Sequence, residues 1–128
     1  MTSEQFTLEL PRDPAFVATA RMFASSLARH FEIEEDVVED LKLAVSEACT
    51  RAIAAANRKD EPLAVSVARD NGRLVFEVSQ GDPSKVAETG AQEQLSAGLS
   101  LELITALFAD AEVAADAGGQ PVVRFSIP

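Results

Sequence analysis

"LAVSVARDNGRLVFEVS", residues 63–79, alternates apolar and polar side chains on both sides of an Asn71-Gly72 pair. Val65 and Val67 share one face of the first run, and Leu74, Phe76 and Val78 share one face of the second. Period-two alternation around Asn-Gly predicts two antiparallel strands joined by a tight turn, because both central turn positions need positive φ and these residues tolerate it. Strands that are apolar on one face need an apolar layer against that face. The flanking segments supply it.

On the N-terminal side, two helical patterns do. In "RDPAFVATARMFASSLARHF" (12–31), Asp13 suits an N-cap and Pro14 the first helical position. Phe16, Ala20, Phe23, Leu27 and Phe31 recur there at helical spacing. Residues 32–60 predict a longer helix, with Glu34, Glu35 and Asp36 at the positive end of its dipole and Arg58 and Lys59 at the negative end. Val38, Leu41, Val45, Ala48 and Ala52 form its central stripe, widened by Cys49 and Ile53. Leu43 and Ala54 fall outside that stripe, which predicts a helix covered on more than one side. Ahead of both helices, "FTLELP" alternates as a strand ended by Pro11.

On the C-terminal side, residues 80–97 lack periodicity and predict a long loop. "GLSLELITALFAD" (98–110) predicts a third helix, with Leu99, Leu103, Ala106 and Leu107 on its buried side. "AEVAAD", a Gly118-Gly119 turn and "PVVRFSIP" close the chain as a second hairpin. The order β-α-α-β-β-α-β-β in a single domain, 1–128, predicts an α/β (α+β) two-layer sandwich: a mainly antiparallel sheet with helices on one face.

Composition narrows the function classes. Eleven basic against 21 acidic residues leave a net charge of −10, which disfavours direct nucleic-acid binding; it would attract a basic protein partner, but solubility alone accounts for it more readily. Cys49 is the single cysteine and His30 the single histidine, so an internal disulfide, a CxxC motif and a multi-histidine metal site are excluded. No run approaches the ~20 apolar residues of a membrane helix, and "MTSEQFTLEL" lacks the basic start of a signal peptide. The cytoplasm is the expected compartment, with no membrane partner.

Local chemistry is sparse. Glu47 and Arg51 lie one turn apart on the second helix, as a carboxylate base facing a cleft or as a structural i,i+4 pair; spacing alone favours the pair. Gly98, opening the third helix, can let backbone amides approach a phosphate or merely help the chain turn. Cys49 sits on the apolar stripe and reads as a small core residue.

"LKLAVSEACTRAI" (41–53) resembles the N-box helix of the Bergerat-fold, histidine-kinase-like ATPases (the GHKL superfamily). It looks most like the small anti-sigma serine kinases of bacterial partner-switching systems. The likeness takes in the opening strand, both N-terminal helices, the Asn-Gly hairpin, the loop, the "GLSLELI" helix start and the closing hairpin. It implies a histidine-kinase-like ATPase fold, with Glu47 as the catalytic base. Against the family pattern, Arg51 stands where an asparagine holds magnesium, and a guanidinium only donates hydrogen bonds. Gln80, followed by Gly81, stands where an aspartate reads the adenine amino group. Gly98-Leu99-Ser100 stands for the Gly-x-Gly at the lid's end, with a serine Cβ narrowing the backbone approach. Nucleotide contacts are thus expected at Arg51, Gln80, Gly81, Gly98 and Ser100, with ATP binding weakened and the magnesium site compromised.

The resemblance implies a regulator that sequesters a sigma factor, is released by an anti-sigma-factor antagonist, and pairs as a homodimer. Arg21, Arg29 and Glu34 are its candidate partner-binding residues. The rival expectation is an active ATP-dependent protein serine kinase that phosphorylates the antagonist. A third is a scaffold with no sigma partner.

Overall fold

A computed structural model of the chain describes residues 4–55, 61–80 and 100–128. The predicted hairpin forms as β2 (Leu63–Asp70) and β3 (Arg73–Ser79), with Val65 opposite Val78 and Val67 opposite Phe76. Asn71 (φ 53°) and Gly72 (φ 80°) take the left-handed conformation the turn requires. Around this hairpin the sheet grows to five strands in the order β1-β2-β3-β5-β4, with every pair antiparallel. β1 is Glu4–Leu10, β4 is Glu112–Ala115 and β5 is Pro121–Ile127.

Three helices complete the α+β arrangement: α1 (Val17–His30), α2 (Glu35–Ala55) and α3, whose described part is 100–107. Leu63, Val65, Val67, Leu74, Phe76 and Val78 point to one side of the sheet and are buried. They share a core with Val38, Leu41, Val45, Ala48 and Ala52 of α2, as the stripe predicts. The aromatic centre is a stack: Phe125 lies between Phe76 at 5.4 Å and Phe108 at 4.9 Å, measured between ring centroids.

Four sequence expectations change in detail. Pro14 opens a separate 3₁₀ turn, Pro14–Phe16, capped by Asp13, whose Oδ1 accepts from the Ala15 amide at 2.9 Å; α1 begins only after it. The fully buried line of α1 is Ala20, Ala24 and Ala28, with Phe23 and Leu27 half-buried beside it. Small side chains let α1 settle closely against α2, and the larger ones fill the margins. On α2, α1 and the sheet together cover the face from Val38 to Ala52, but Leu43 is 44% exposed and Ala54 is exposed, so the apolar side they define is left open. On α3 the buried residues are Ile104 and, just past the helix, Phe108, while Leu103 is 37% exposed and Ala106 is exposed. Two overlapping stripes exist in that helix, and the Phe108–Phe125 stack selects the one the spacing did not favour.

The α1–α2 turn has a costly feature. Glu32 sits at φ 63°, with its amide donating to the Arg29 carbonyl and the Ile33 amide donating to the Ala28 carbonyl. These bonds form a Schellman motif, in which the left-handed position favours glycine. Glu32→Gly is therefore expected to stabilise the protein by about 0.5–1 kcal/mol, a rise in Tm of roughly 2–4 °C. Thermal unfolding followed by circular dichroism checks this.

Candidate functional site

The second half of α2 lies against the C-terminal end of β3, and four of the residues singled out from sequence meet there. Glu47 and Arg51 project from successive turns of α2, both half-buried. Gln80 follows β3 directly and is fixed by its backbone amide, which donates to the Pro121 carbonyl of β5 at 3.0 Å. Ser100 opens the described part of α3.

Their hydrogen bonds cross between elements. Arg51 Nη1 donates to Gln80 Oε1 at 2.7 Å. Ser100 Oγ donates to Glu47 Oε2 at 3.0 Å. Gln80 is only 4% exposed, and its Nε2 faces the carbonyls of Ala48, Val78 and Ser79, each at 3.2 Å. The Gln80 amide is thus satisfied at both ends, its nitrogen by backbone and its oxygen by Arg51. The local pair that spacing favoured gives way to different partners, Ser100 for Glu47 and Gln80 for Arg51.

Burial holds the Arg51 guanidinium below its ordinary pKa, yet it remains a cation at neutral pH. Arg12, which no sequence signal marks, is also buried here, at 6% exposed. Its Nη1 donates to the Ala52 carbonyl at 2.9 Å, and its Nε has no hydrogen-bond partner among the described residues. Desolvation lowers its pKa, against the attraction of Glu61. Nothing local announces this burial, since Arg12 lies between Pro11 and Asp13 in what reads as a surface turn. Cys49 is fully buried, and desolvation pushes its thiol up to about 12. It stays protonated at neutral pH and supplies no nucleophile, in line with a core role.

The remaining candidates lie elsewhere. Gly81 and Gly98 fall outside the described residues. Arg21 is exposed on α1, with Nη1 3.5 Å from Ser46 Oγ. Arg29 is exposed and bonds Glu35 twice, at 2.9 and 3.3 Å. Glu34 stands just ahead of α2, at the far end of that helix from Arg51.

Among the described residues, the site thus brings together one carboxylate, one guanidinium, one primary amide and one hydroxyl. A guanidinium meets phosphate oxygens well, and a carboxylate can take a proton from a hydroxyl. Among the described residues, no group of three or more His, Cys, Asp and Glu gathers to hold a metal ion. No helix among them is long and apolar enough to cross a membrane.

Comparison with known proteins places this geometry in context. Residues 10–127 match the histidine kinase-like ATPase domain family. The chain is similar to the serine-protein kinase RsbW of Bacillus subtilis (strain 168), with 30% identity over 125 residues, covering 87% of this chain and 78% of that protein. RsbW of Bacillus pumilus is 30% identical over 133 residues, covering 91% and 82%. RsbW of Listeria monocytogenes serovar 1/2a is 30% identical over 129 residues, covering 90% and 82%.

Proposed function

We propose, from the premise that the chain belongs to the histidine kinase-like ATPase family, that it is an anti-sigma-type regulator acting by protein–protein contact. It sequesters a sigma factor in the cytoplasm, releases it to an anti-sigma-factor antagonist, and pairs as a homodimer in a single domain, 1–128. Its nucleotide pocket binds ATP weakly and without magnesium.

The Arg51–Gln80 hydrogen bond carries this reading. The Gln80 oxygen that would accept from an adenine amino group already accepts from a guanidinium. One of that oxygen's two lone pairs is thus taken by a cation that also fixes its direction, so an adenine amino group meets a competitor there where the family pattern has a carboxylate. At the expected magnesium position Arg51 offers donors only, and hard cations take oxygen ligands. Glu47 alone does not complete a metal site, so no step is assigned through magnesium. Arg21 and Arg29, exposed on α1, and Glu34, exposed just ahead of α2, are the proposed partner contacts.

Co-purification of the tagged chain from its native host tests the reading. A sigma factor and an antagonist are expected in the eluate, retained in chelator without added nucleotide. Arg21→Glu is expected to weaken capture by about tenfold without unfolding the protein. Recovery of neither partner contradicts the proposal.

One observation favours a second reading, an active protein serine kinase. Glu47 is kept, half-buried and oriented by Ser100, as a base that accepts a hydroxyl proton would be. Bound ATP would supply the transferable phosphoryl group. Phosphate transfer to the recovered antagonist on adding ATP would establish this reading over the first.

A further inference from the structure

At the end of the sheet away from the Arg51–Gln80 bond, an open cavity of about 450 Å³ lies between α2, the end of α3 and the end of β5. Val37, Leu107, Phe108 and Ile127 give it an apolar floor. Glu32, Glu34 and Asp40 stand on it, and no Lys or Arg is among the lining residues. Among the described residues, none of these three carboxylates has an ion-pair partner; the nearby Arg29 is engaged by Glu35.

Helix electrostatics explains only part of this. Glu34 suits the positive end of α2, but the dipole's reach ends within the first turn and Asp40 lies beyond it. Glu32 precedes the helix and sits at φ 63°, where glycine is the favoured residue. A carboxylate is kept there against the backbone's own preference, and such outliers point to function.

We infer that this groove docks an amphipathic helix of a protein partner, with aliphatic side chains on its buried face and Lys or Arg along its edge. Apolar anchors fit the floor, and the flanking cations meet the three carboxylates. A second copy of this chain is disfavoured as occupant, because a molecule of net charge −10 brings mostly like charge to an acidic rim. A neutral apolar ligand would leave the carboxylates unused. The groove includes Glu34 and lies beside Arg29, two candidate contacts of the sigma-factor reading, but its test uses probe helices with neither nucleotide nor sigma factor, so the two readings fail separately.

The test uses the full chain and two fluorescent probe helices, one of leucine and lysine and one of leucine and glutamate, followed by anisotropy. The leucine–lysine helix is expected to bind and the leucine–glutamate helix to fail. Glu34→Lys with Asp40→Lys is expected to weaken binding by at least about tenfold. Glu9→Lys with Glu102→Lys makes the same charge change at exposed positions away from the groove and is expected to alter it less than about twofold. Glu32→Gly, which removes backbone strain, should weaken binding while the fold becomes more stable; this separates docking from unfolding. Equal loss in both double variants means general attraction to an acidic surface and overturns the inference. Equal binding of the two helices overturns it as well.

Discussion

Phe125→Ala is expected to remove about 3–5 kcal/mol of stability, the range for truncating a fully buried phenylalanine. Phe125 has no exposed surface, and its ring lies between Phe76 of β3 and Phe108 beyond α3. Its loss leaves a cavity that neither neighbour can fill without leaving the other. Against a typical total of about 5–15 kcal/mol, the change takes a large share of the fold's stability. In urea unfolding, the midpoint should fall while the m-value holds. The end of α3 rests on the same stack, so the Ser100–Glu47 bond at its other end should loosen too. A loss below about 1 kcal/mol would mean that the stack does not hold α3 to the sheet.

The second large effect concerns nucleotide affinity. Arg51→Asn removes the donor that occupies Gln80 and restores an oxygen ligand where magnesium is expected. Adding Gln80→Asp supplies a charged acceptor for an adenine amino group, with no guanidinium competing for it. One charge-assisted hydrogen bond is worth about 1.5–3 kcal/mol, so the double variant should bind ATP with magnesium roughly ten- to a hundredfold more tightly than the native chain. The two changes act on one contact and should not add: Gln80→Asp alone faces Arg51 as an ion pair and gains little. Unchanged affinity in the double variant would place the barrier elsewhere in the pocket.

Much of the fold is legible because its signals are local. Asn71-Gly72 between alternating runs specifies the hairpin, and Asp13 with Pro14 marks a helix entry. The α2 stripe from Val38 to Ala52 names its own buried face. The misreadings arise where two local patterns compete and a distant partner decides. Leu103 and Ile104 both lie on helical apolar stripes, and only Phe125, far along the chain, selects the second. Leu43 and Ala54 widen the apolar pattern of α2, yet the sheet and α1 leave that side open.

The site divides in the same way. Glu47, Arg51 and Gln80 are recognisable as motif positions, so their meeting was readable. That Gln80 Oε1 points at Arg51 is not, because the contact joins residues 29 positions apart. Arg12 gives no signal, since a charged residue between Pro11 and Asp13 is the ordinary composition of an exposed turn. The strained Glu32 is equally silent, because the left-handed position it holds is normally announced by glycine.

Calorimetric titration of the native chain with ATP and magnesium tests the proposal that Arg51, by holding Gln80 and replacing a magnesium ligand, leaves nucleotide binding weak. A Kd weaker than about 1 mM is expected, with no gain on adding magnesium. A magnesium-dependent Kd of about 1 μM or tighter would overturn the proposal, because such affinity needs a working metal site and an adenine contact for which Arg51 does not compete.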